Sequence, residues 1–209
     1  FLHRQSIILC IPSCKRSKKS KVGQTLRYEN LSFKVSQLSR IRNIVTRDMM
    51  VTIYISIIQP TIDYAITIWG HTTMINLNKI QRLQNLAARI ILNDFDYINT
   101  RGINLVKQLK WMNVLERRKY FEQLLMFKCI HGMAPEYLCD HVNMEIEVRY
   151  VQTRSHDMNV YVPFPKNELA KKSFYYSAAK NWNSLSGKVK ELGTIECFKR
   201  CLKKDIHNM

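Results

Sequence analysis

One stretch of the chain, residues 105–138, carries the signals of a helix with a defined beginning and end. Asn113 has the side chain of an N-cap, and Glu116, three residues later, completes a variant of the capping box. Gly132 suits the left-handed position that ends a helix, and Pro135 suits the first turn of a new short helix. Apolar residues fall near helical spacing between these signals: Val114, Phe121, Leu124, Leu125 and Ile130. The stretch therefore predicts a buried helix at the centre of a small helical domain.

Other segments repeat apolar residues every three or four positions, the period of an amphipathic helix. They are residues 31–45, 75–92 and 194–206. Residues 49–69 are rich in β-branched side chains, but their length and the lack of a central turn favour a buried helix, which Pro60 should kink or divide. The sequence thus predicts a mainly α fold: a helical bundle, then a helical region with an extended basic-aromatic strap at about 145–172.

Shifts in composition divide the chain into three parts. Residues 1–25 end in a basic run without a helical face and should be poorly ordered. Residues 26–104 form the expected bundle, and residues 105–209 form the second helical region. Because the chain begins with Phe1 and not with Met, we interpret it as a fragment of a longer protein.

The net charge of the chain is +17 at neutral pH, from 33 Lys and Arg against 16 Asp and Glu. The excess lies in residues 1–50 and 166–209, whereas residues 51–165 are close to neutral. Such a charge favours nucleic acid or an anionic membrane surface as the partner. No apolar run approaches the ~20 residues that a membrane span needs, and no signal-peptide pattern opens the chain. We therefore expect no membrane partner and an intracellular protein, found in the cytoplasm and nucleus if expressed.

Cationic side chains on the outward faces of the predicted helices are the candidate nucleic-acid contacts. Lys79, Arg82 and Arg89 should form a ridge that can follow a phosphate backbone. In the strap, cations alternate with aromatic residues, a pattern suited to the phosphates and bases of a single strand. A solvated helix face and a strap packed on the core would produce the same two patterns. The remaining candidates are Arg117, Arg118, Arg154, Lys171 and Lys172.

Residues that could hold a metal or carry catalysis are scarce. The cysteines lack the C-x2-C spacing of most zinc sites, and Cys129 lies in an apolar run that favours burial. Asp63 could bind a metal or act as an acid or base, but we favour a cap for the helix that resumes after Pro60. Asp94 and Asp96 suit loop and capping roles.

Several motifs of enzyme chemistry are missing from the sequence. It contains no Gly-rich phosphate loop, no G-x-S-x-G, no H-E-x-x-H and no adjacent Asp pair that could hold two metals. We therefore predict no catalytic residue, no metal site and no cofactor in this chain.

Four segments of the chain carry a family resemblance when they are taken together and in order. They are VTIYISIIQPTIDYAITIWG (51–70), NKIQRLQNLAARIIL (78–92), LKWMNVLERRKYFEQLLMFKCIHGMAPEYL (109–138) and TRSHDMNVYVPFPKNELAKKSFYYSAAKNWNSL (153–185). The last segment is followed by the basic helix FKRCLKKDI. Together these segments resemble the C-terminal part of reverse transcriptases from LINE-type (non-LTR, jockey-like) retrotransposons. The similarity covers about residues 26–206.

This resemblance implies a role in holding nucleic acid. Residues from about 30 to 92 look like the polymerase thumb, which holds the template–primer duplex, and residues from about 105 onwards look like the post-thumb region. The palm, whose carboxylates bind Mg²⁺, and the endonuclease domain would lie upstream of this chain. The implied protein is a catalytically incomplete part of an RNA-directed DNA polymerase that binds RNA and an RNA/DNA or DNA duplex.

Two other functions fit the same residues. A helical protein-interaction module without a nucleic-acid role would bind partner helices through its apolar faces. A zinc-dependent nucleic-acid binder would use the cysteines and histidines. The salt dependence of binding separates the first alternative from a nucleic-acid binder, and metal analysis separates the second.

Overall fold

Helices follow one another with short connections in the computed structural model, which describes residues 18–144, 158–165, 167–168 and 170–207. No strand occurs in these ranges, and an isolated antiparallel bridge joins Met144 to Val160. The prediction of a mainly helical chain is therefore confirmed. Residues 145–157 of the expected strap, which include Arg154, lie outside the described residues, as do residues 1–17.

The first helix, α1 (Lys18–Ile41), begins before the boundary that composition indicated. Residues 18–25 were expected to be poorly ordered, yet they continue the helix whose apolar face starts at Leu31. Their basic side chains do not prevent a helix, because Lys and Arg have high helix propensity. After α1 the N-cap Thr46 accepts a hydrogen bond from the Met49 amide and begins α2 (Arg47–Ile53).

Pro60 does not divide the segment that follows. A π-helical turn (Tyr54–Ile58) leads directly into α3 (Gln59–Asp63), with Pro60 in the first turn of α3. Proline is tolerated there, and the wider turn before it offers room for a ring that would otherwise meet a carbonyl oxygen. The break lies further on, at Ala65, whose φ of 53° is left-handed and precedes α4 (Ile66–Trp69).

Helix α5 (Met74–Leu92) packs against α1 and the α2–α3 segment around the first hydrophobic core. The apolar stripes predicted for residues 31–45 and 75–92 both face this core. Burying a side chain of this size stabilises the fold by about 1.5–3 kcal/mol. The deeply buried members are Leu31, Val35, Leu38, Tyr54, Ile58, Ile62, Leu77, Ile80, Leu83, Ile90 and Ile91.

Helix α6 (Gly102–Gln108) also belongs with the first bundle. Its Leu105 and Val106 pack on Ala88 of α5. At Gly102 the two helices come so close that an added Cβ would lie 2.7 Å from the Cβ of Asn85. Helix α6 thus spans the boundary between residues 104 and 105 that the sequence indicated, and it packs on α5.

Helix α7 (Val114–Ile130) has the ends that the sequence predicts. Asn113 and Glu116 form a reciprocal capping box, and Gly132 takes the left-handed φ of 63°. Pro135 is the N-cap of α8 (Glu136–Cys139) and does not lie in its first turn. Helix α7 contributes to two cores, with Val114 in the first and Phe127 in the second.

The second core lies between α7 and the C-terminal helices. After a 3₁₀ turn (Ala170–Lys172) come α9 (Phe174–Asn183), α10 (Gly187–Lys190) and α11 (Ile195–His207). None of the helices in the described ranges has the length and apolar character needed to cross a membrane. The main buried side chains of this core are Tyr120, Met126, Phe127, Ala178, Ala179, Trp182, Phe198 and Leu202.

Candidate nucleic-acid interface

The cationic ridge expected along α5 is shorter than its spacing indicates. Lys79 and Arg82 are exposed, as predicted. Arg89 is not: only 5% of its surface is accessible. Its guanidinium donates hydrogen bonds to the carbonyl oxygens of Asp94 and Asp96, at 3.2 and 3.0 Å, and to that of Thr100. The expectation that Arg89 points outward is therefore wrong.

The loop after α5 explains the position of Arg89. The helix ends at Asn93, in the left-handed conformation, and residues 94–100 fold back over its last turn. Asp96 stabilises this loop by accepting hydrogen bonds from the amides of Ile98 and Asn99, as its predicted loop role requires. The Tyr97 ring lies over the guanidinium, with its centroid 4.3 Å from Cζ of Arg89. A position that faces solvent on an isolated helix is thus covered by the chain that follows.

Arg117 is occupied by an ion pair with Asp63. Its Nε donates to Oδ1 of Asp63 at 2.5 Å, and its Nη2 donates to Oδ2, so the pair is bidentate. Both side chains are largely buried. Asp63 ends α3 and does not cap the next helix, so the capping role that we favoured for it is wrong. The pairing takes Arg117 out of the set of cations free to meet a phosphate.

Arg118 neutralises a carboxylate in the interior. Its Nε lies 3.2 Å from Oε1 of Glu122, a residue with no accessible surface, and its Nη1 donates to the Gly70 carbonyl. His71 Nε2 lies 3.1 Å from the same carboxylate oxygen. A buried charge is costly unless it is paired. The spacing of four between Arg118 and Glu122 is the sequence signal that identifies this pair.

The two lysines of the 3₁₀ turn are exposed. Lys171 forms an ion pair with Glu168, and this hydrogen bond raises the pKa of the Lys171 ammonium group. Lys172 forms no ion pair with any described residue. Both lie in a tight helical turn, where we expected an extended strap.

The aromatic residues of the strap divide between core and surface. Phe174 packs against the second core, and Tyr175 meets the His141 ring edge-on at 5.2 Å. Phe164 is 92% exposed. The interpretation in which aromatic side chains pack on the helical core therefore applies to α9, whereas Phe164 lies at the surface.

Helix α11 carries a cationic face that was not among the candidate contacts. Arg200, Lys203 and Lys204 are exposed, and Lys199 is half-buried. Phe198 and Leu202, on the other side of the helix, are buried in the second core. The amphipathic period of residues 194–206 separates these two faces and is the signal that identifies the cationic one.

A metal site has no support among the described residues. They contain no group of three or more His, Cys, Asp and Glu side chains able to hold an ion. Cys129 is buried, and burial raises its pKa to about 11, which disfavours the thiolate that a metal requires. Cys10 and Cys14 lie outside the described ranges.

Of the candidate contacts, the structure leaves Lys79, Arg82, Lys171 and Lys172 at the surface and places Arg89, Arg117 and Arg118 in internal contacts. The resemblance to retrotransposon reverse transcriptases stays a prediction. Comparison with known proteins finds no matching protein-family model, curated protein or solved structure.

Proposed function

We propose that this chain binds nucleic acid through the exposed cations of its helical surface, as a thumb and post-thumb part of a reverse transcriptase without the catalytic palm. Its role would be to hold a duplex backbone, with α5 as the principal contact through Lys79 and Arg82. Neither residue reacts with substrate in this proposal.

One observation carries the proposal: Lys79 and Arg82 lie exposed on the same helix, whereas two of the carboxylates are used in internal ion pairs. Glu122 and Asp63 neutralise Arg118 and Arg117 in the interior. Lys79 and Arg82, in contrast, form no ion pair with any residue that the structure describes. The net charge of +17 favours a polyanionic partner, and these two exposed cations can meet its phosphates.

The salt dependence of duplex binding tests this function. With about five phosphate contacts, the slope of log affinity against log salt should be roughly −4 to −5 on a duplex. Changing Lys79→Ala and Arg82→Ala together should reduce the magnitude of that slope by about 2 and weaken binding similarly on different sequences. The fold should tolerate both changes, because exposed charges contribute little to stability.

A matched control removes the same charge elsewhere. Lys180 of α9 and Lys188 of α10 are also exposed, and Lys180→Ala with Lys188→Ala should leave the slope close to that of the wild type. An equal loss in both double variants would show that net charge governs binding and would overturn the placement on α5. A wild-type protein with no affinity for duplex at low salt would overturn the function itself.

A second candidate function, the binding of partner helices, is favoured by apolar side chains at the surface of the first bundle. Ile68 and Ile75 are 79% and 72% exposed, and Phe33 on α1 is exposed as well. Exposed apolar residues of this size mark protein-interaction surfaces when they form a patch. This function predicts salt-insensitive association with another protein, which sedimentation at low and high salt would distinguish from duplex binding.

A further inference from the structure

A cleft of about 520 Å³ lies where the connection between α6 and α7 meets α11. Its volume falls in the range of roughly 300–1,000 Å³ typical of small-ligand sites. Three lysines from two separate elements line it: Lys110 before α7, and Lys199 and Lys203 one turn apart on α11. The cleft therefore lies between the two helical bundles. Two cations of the α11 cationic face line this concave site.

The charge of the cleft is uncompensated. None of its lining side chains is an Asp or Glu, and none of its three lysines forms an ion pair within the described part of the chain. Arg117 also lines the cleft, but Asp63 already neutralises it. Concave surfaces with one sign of charge concentrate the field, so an anionic group is the favoured occupant.

Lys110 takes a left-handed backbone conformation where α6 ends. Its φ is 56°, in the left-handed region that Gly and Asn ordinarily supply at the end of a helix. The amide of Lys110 donates to Lys107, and that of Trp111 donates to Val106, so the turn itself is a regular helix ending. Glycine would take this conformation at a lower cost than lysine does.

Aromatic side chains line the same cleft as these lysines. One face of the Trp111 indole stacks on Tyr54, with ring centroids 3.7 Å apart and planes within 7°, so the indole is rigidly held. Trp111 is only partly buried, and it lines the cleft together with Tyr120 and Phe121. Aromatic faces beside cations suit a nucleotide, which offers a base to stack and a phosphate to neutralise.

We propose that this cleft binds an unpaired nucleotide of a single strand, with the base against Trp111 and the phosphates at Lys110, Lys199 and Lys203. The inference rests on the proposed nucleic-acid function and adds to it a single-strand site separate from the duplex surface of α5. A thumb with both sites would hold a duplex and the unpaired strand that continues from it.

The test compares a short fluorescent oligothymidylate with a blunt duplex, using the full chain. Lys199→Gln with Lys203→Gln should weaken single-strand binding about five- to tenfold and reduce the magnitude of its salt slope by about 1.4, at roughly 0.7 for each phosphate that is no longer neutralised. Duplex affinity should stay within twofold of the wild type. Arg200→Gln with Lys204→Gln is the matched control, because both residues are exposed on the same helix and neither lines the cleft.

Lys110→Gly separates binding from folding. It should raise the midpoint of urea unfolding, because glycine takes the left-handed conformation without strain, while it weakens single-strand binding. Binding should also quench the fluorescence of Trp111, and Trp111→Phe, which retains a ring against Tyr54, should abolish that quenching. If these residues had a purely structural role, single-strand binding would not be linked to the quenching of Trp111 fluorescence.

The outcomes distinguish this proposal from the function on which it rests. Wild-type affinity for oligothymidylate in both lysine variants, with duplex binding intact, would overturn the cleft and leave the proposed function standing. Absence of binding to either nucleic acid would overturn both. Equal binding of polyglutamate, without a change in Trp111 fluorescence, would show a general anion site and overturn the assignment of a nucleotide.

Discussion

Asp63, the last residue of α3, and Arg117, near the start of α7, meet through two parallel hydrogen bonds between carboxylate and guanidinium. The two residues are 54 positions apart in sequence, so the pair fixes α7 against the first bundle. It also explains why Arg117, in a run of three cations, is not free at the surface. When the two groups are partly buried, a guanidinium binds a carboxylate through two hydrogen bonds more favourably than water does.

A double-mutant cycle should measure this coupling. Arg117→Gln leaves the Asp63 carboxylate without its partner, and we expect a loss of about 1–3 kcal/mol in the free energy of unfolding. Asp63→Asn should cost a similar amount, and the double variant should lose less than the sum of the two. Urea denaturation gives the three values. Additive losses would mean that the ion pair contributes nothing beyond its separate side chains.

Arg89 and Arg82 are seven residues apart on α5. Truncation of Arg89 should affect mainly stability, and truncation of Arg82 should affect mainly duplex binding. Arg89→Ala removes charged hydrogen bonds to loop carbonyls and should cost about 2–3 kcal/mol of stability. Arg82→Ala should change stability by less than about 0.5 kcal/mol and should lower the salt slope of duplex binding. Thermal unfolding and titration of both variants check this. If Arg89→Ala folds and the salt slope of its duplex binding is reduced, Arg89 contacts the nucleic acid after all.

Local sequence signals predicted the helices well, because capping and periodicity act within a few residues. Asn113, Glu116 and Gly132 define α7 in the structure as they do in the sequence. The same signals failed for Arg89 and Arg117. Their burial depends on a loop that folds back and on a carboxylate from another helix, neither of which is a property of the helix that carries them. Periodicity finds the face of a helix but not what later covers it.

The cleft was hidden from sequence reasoning for the same reason. Lys110 lies in a connection, and Lys199 lies in the final helix, so only tertiary packing brings them to one site. The π turn before Pro60 was equally out of reach. Proline predicts an interruption of the helix, but the geometry that accommodates it depends on the surrounding core.

Glu122 should hold the two bundles together in one cooperative unit. Its Oε2 accepts hydrogen bonds from Ser177 and Asn181 of α9, at 2.9 and 2.8 Å, while its Oε1 faces Arg118 and His71. Glu122→Gln leaves the Arg118 charge unpaired, and we expect a loss of about 3–5 kcal/mol in the free energy of unfolding.

The same variant should separate the unfolding of the two cores. Trp111 packs against the first core and Trp182 lies in the second, so single-tryptophan versions report each one. Their urea transitions should coincide in the otherwise unchanged protein and diverge with Glu122→Gln. Coincident transitions in both would contradict the linking role of Glu122. Ser177→Ala, which removes a single hydrogen bond, is the mild control and should cost about 1 kcal/mol.

The contact between α5 and α6 should not tolerate a methyl group at Gly102. The added Cβ would lie 2.7 Å from Cβ of Asn85, and both atoms belong to helices with little freedom to move. We expect Gly102→Ala to destabilise the fold by about 1–3 kcal/mol, despite the higher helix propensity of alanine. At Gly193 nothing lies within 4 Å of an added Cβ, so Gly193→Ala should be nearly neutral. Equal urea midpoints for the two variants would contradict the close approach of α5 and α6.

Cys129 should make stability fall at alkaline pH. Burial, with a smaller effect of the Cys139 thiol, raises the pKa of Cys129 from 9.0 to about 11. Between these two pH values the unfolded chain releases a proton that the folded protein keeps. The unfolded state therefore becomes more favourable relative to the folded state as the pH rises. Below about pH 9 both states hold the proton, so Cys129 no longer makes the stability depend on pH. The full effect is about 3 kcal/mol, since each of the two pKa units corresponds to about 1.4 kcal/mol.

Other groups also titrate in this pH range, so the prediction is a difference between variants. Cys129→Ala should lower stability at about pH 8, because it removes a buried atom, and should flatten the decline of stability between about pH 9 and pH 11. Cys197→Ala, where the thiol is half-exposed, should keep the wild-type decline. Urea midpoints measured at several pH values give the two curves. Parallel curves for Cys129→Ala and the wild type would show that the buried thiol does not cause the decline.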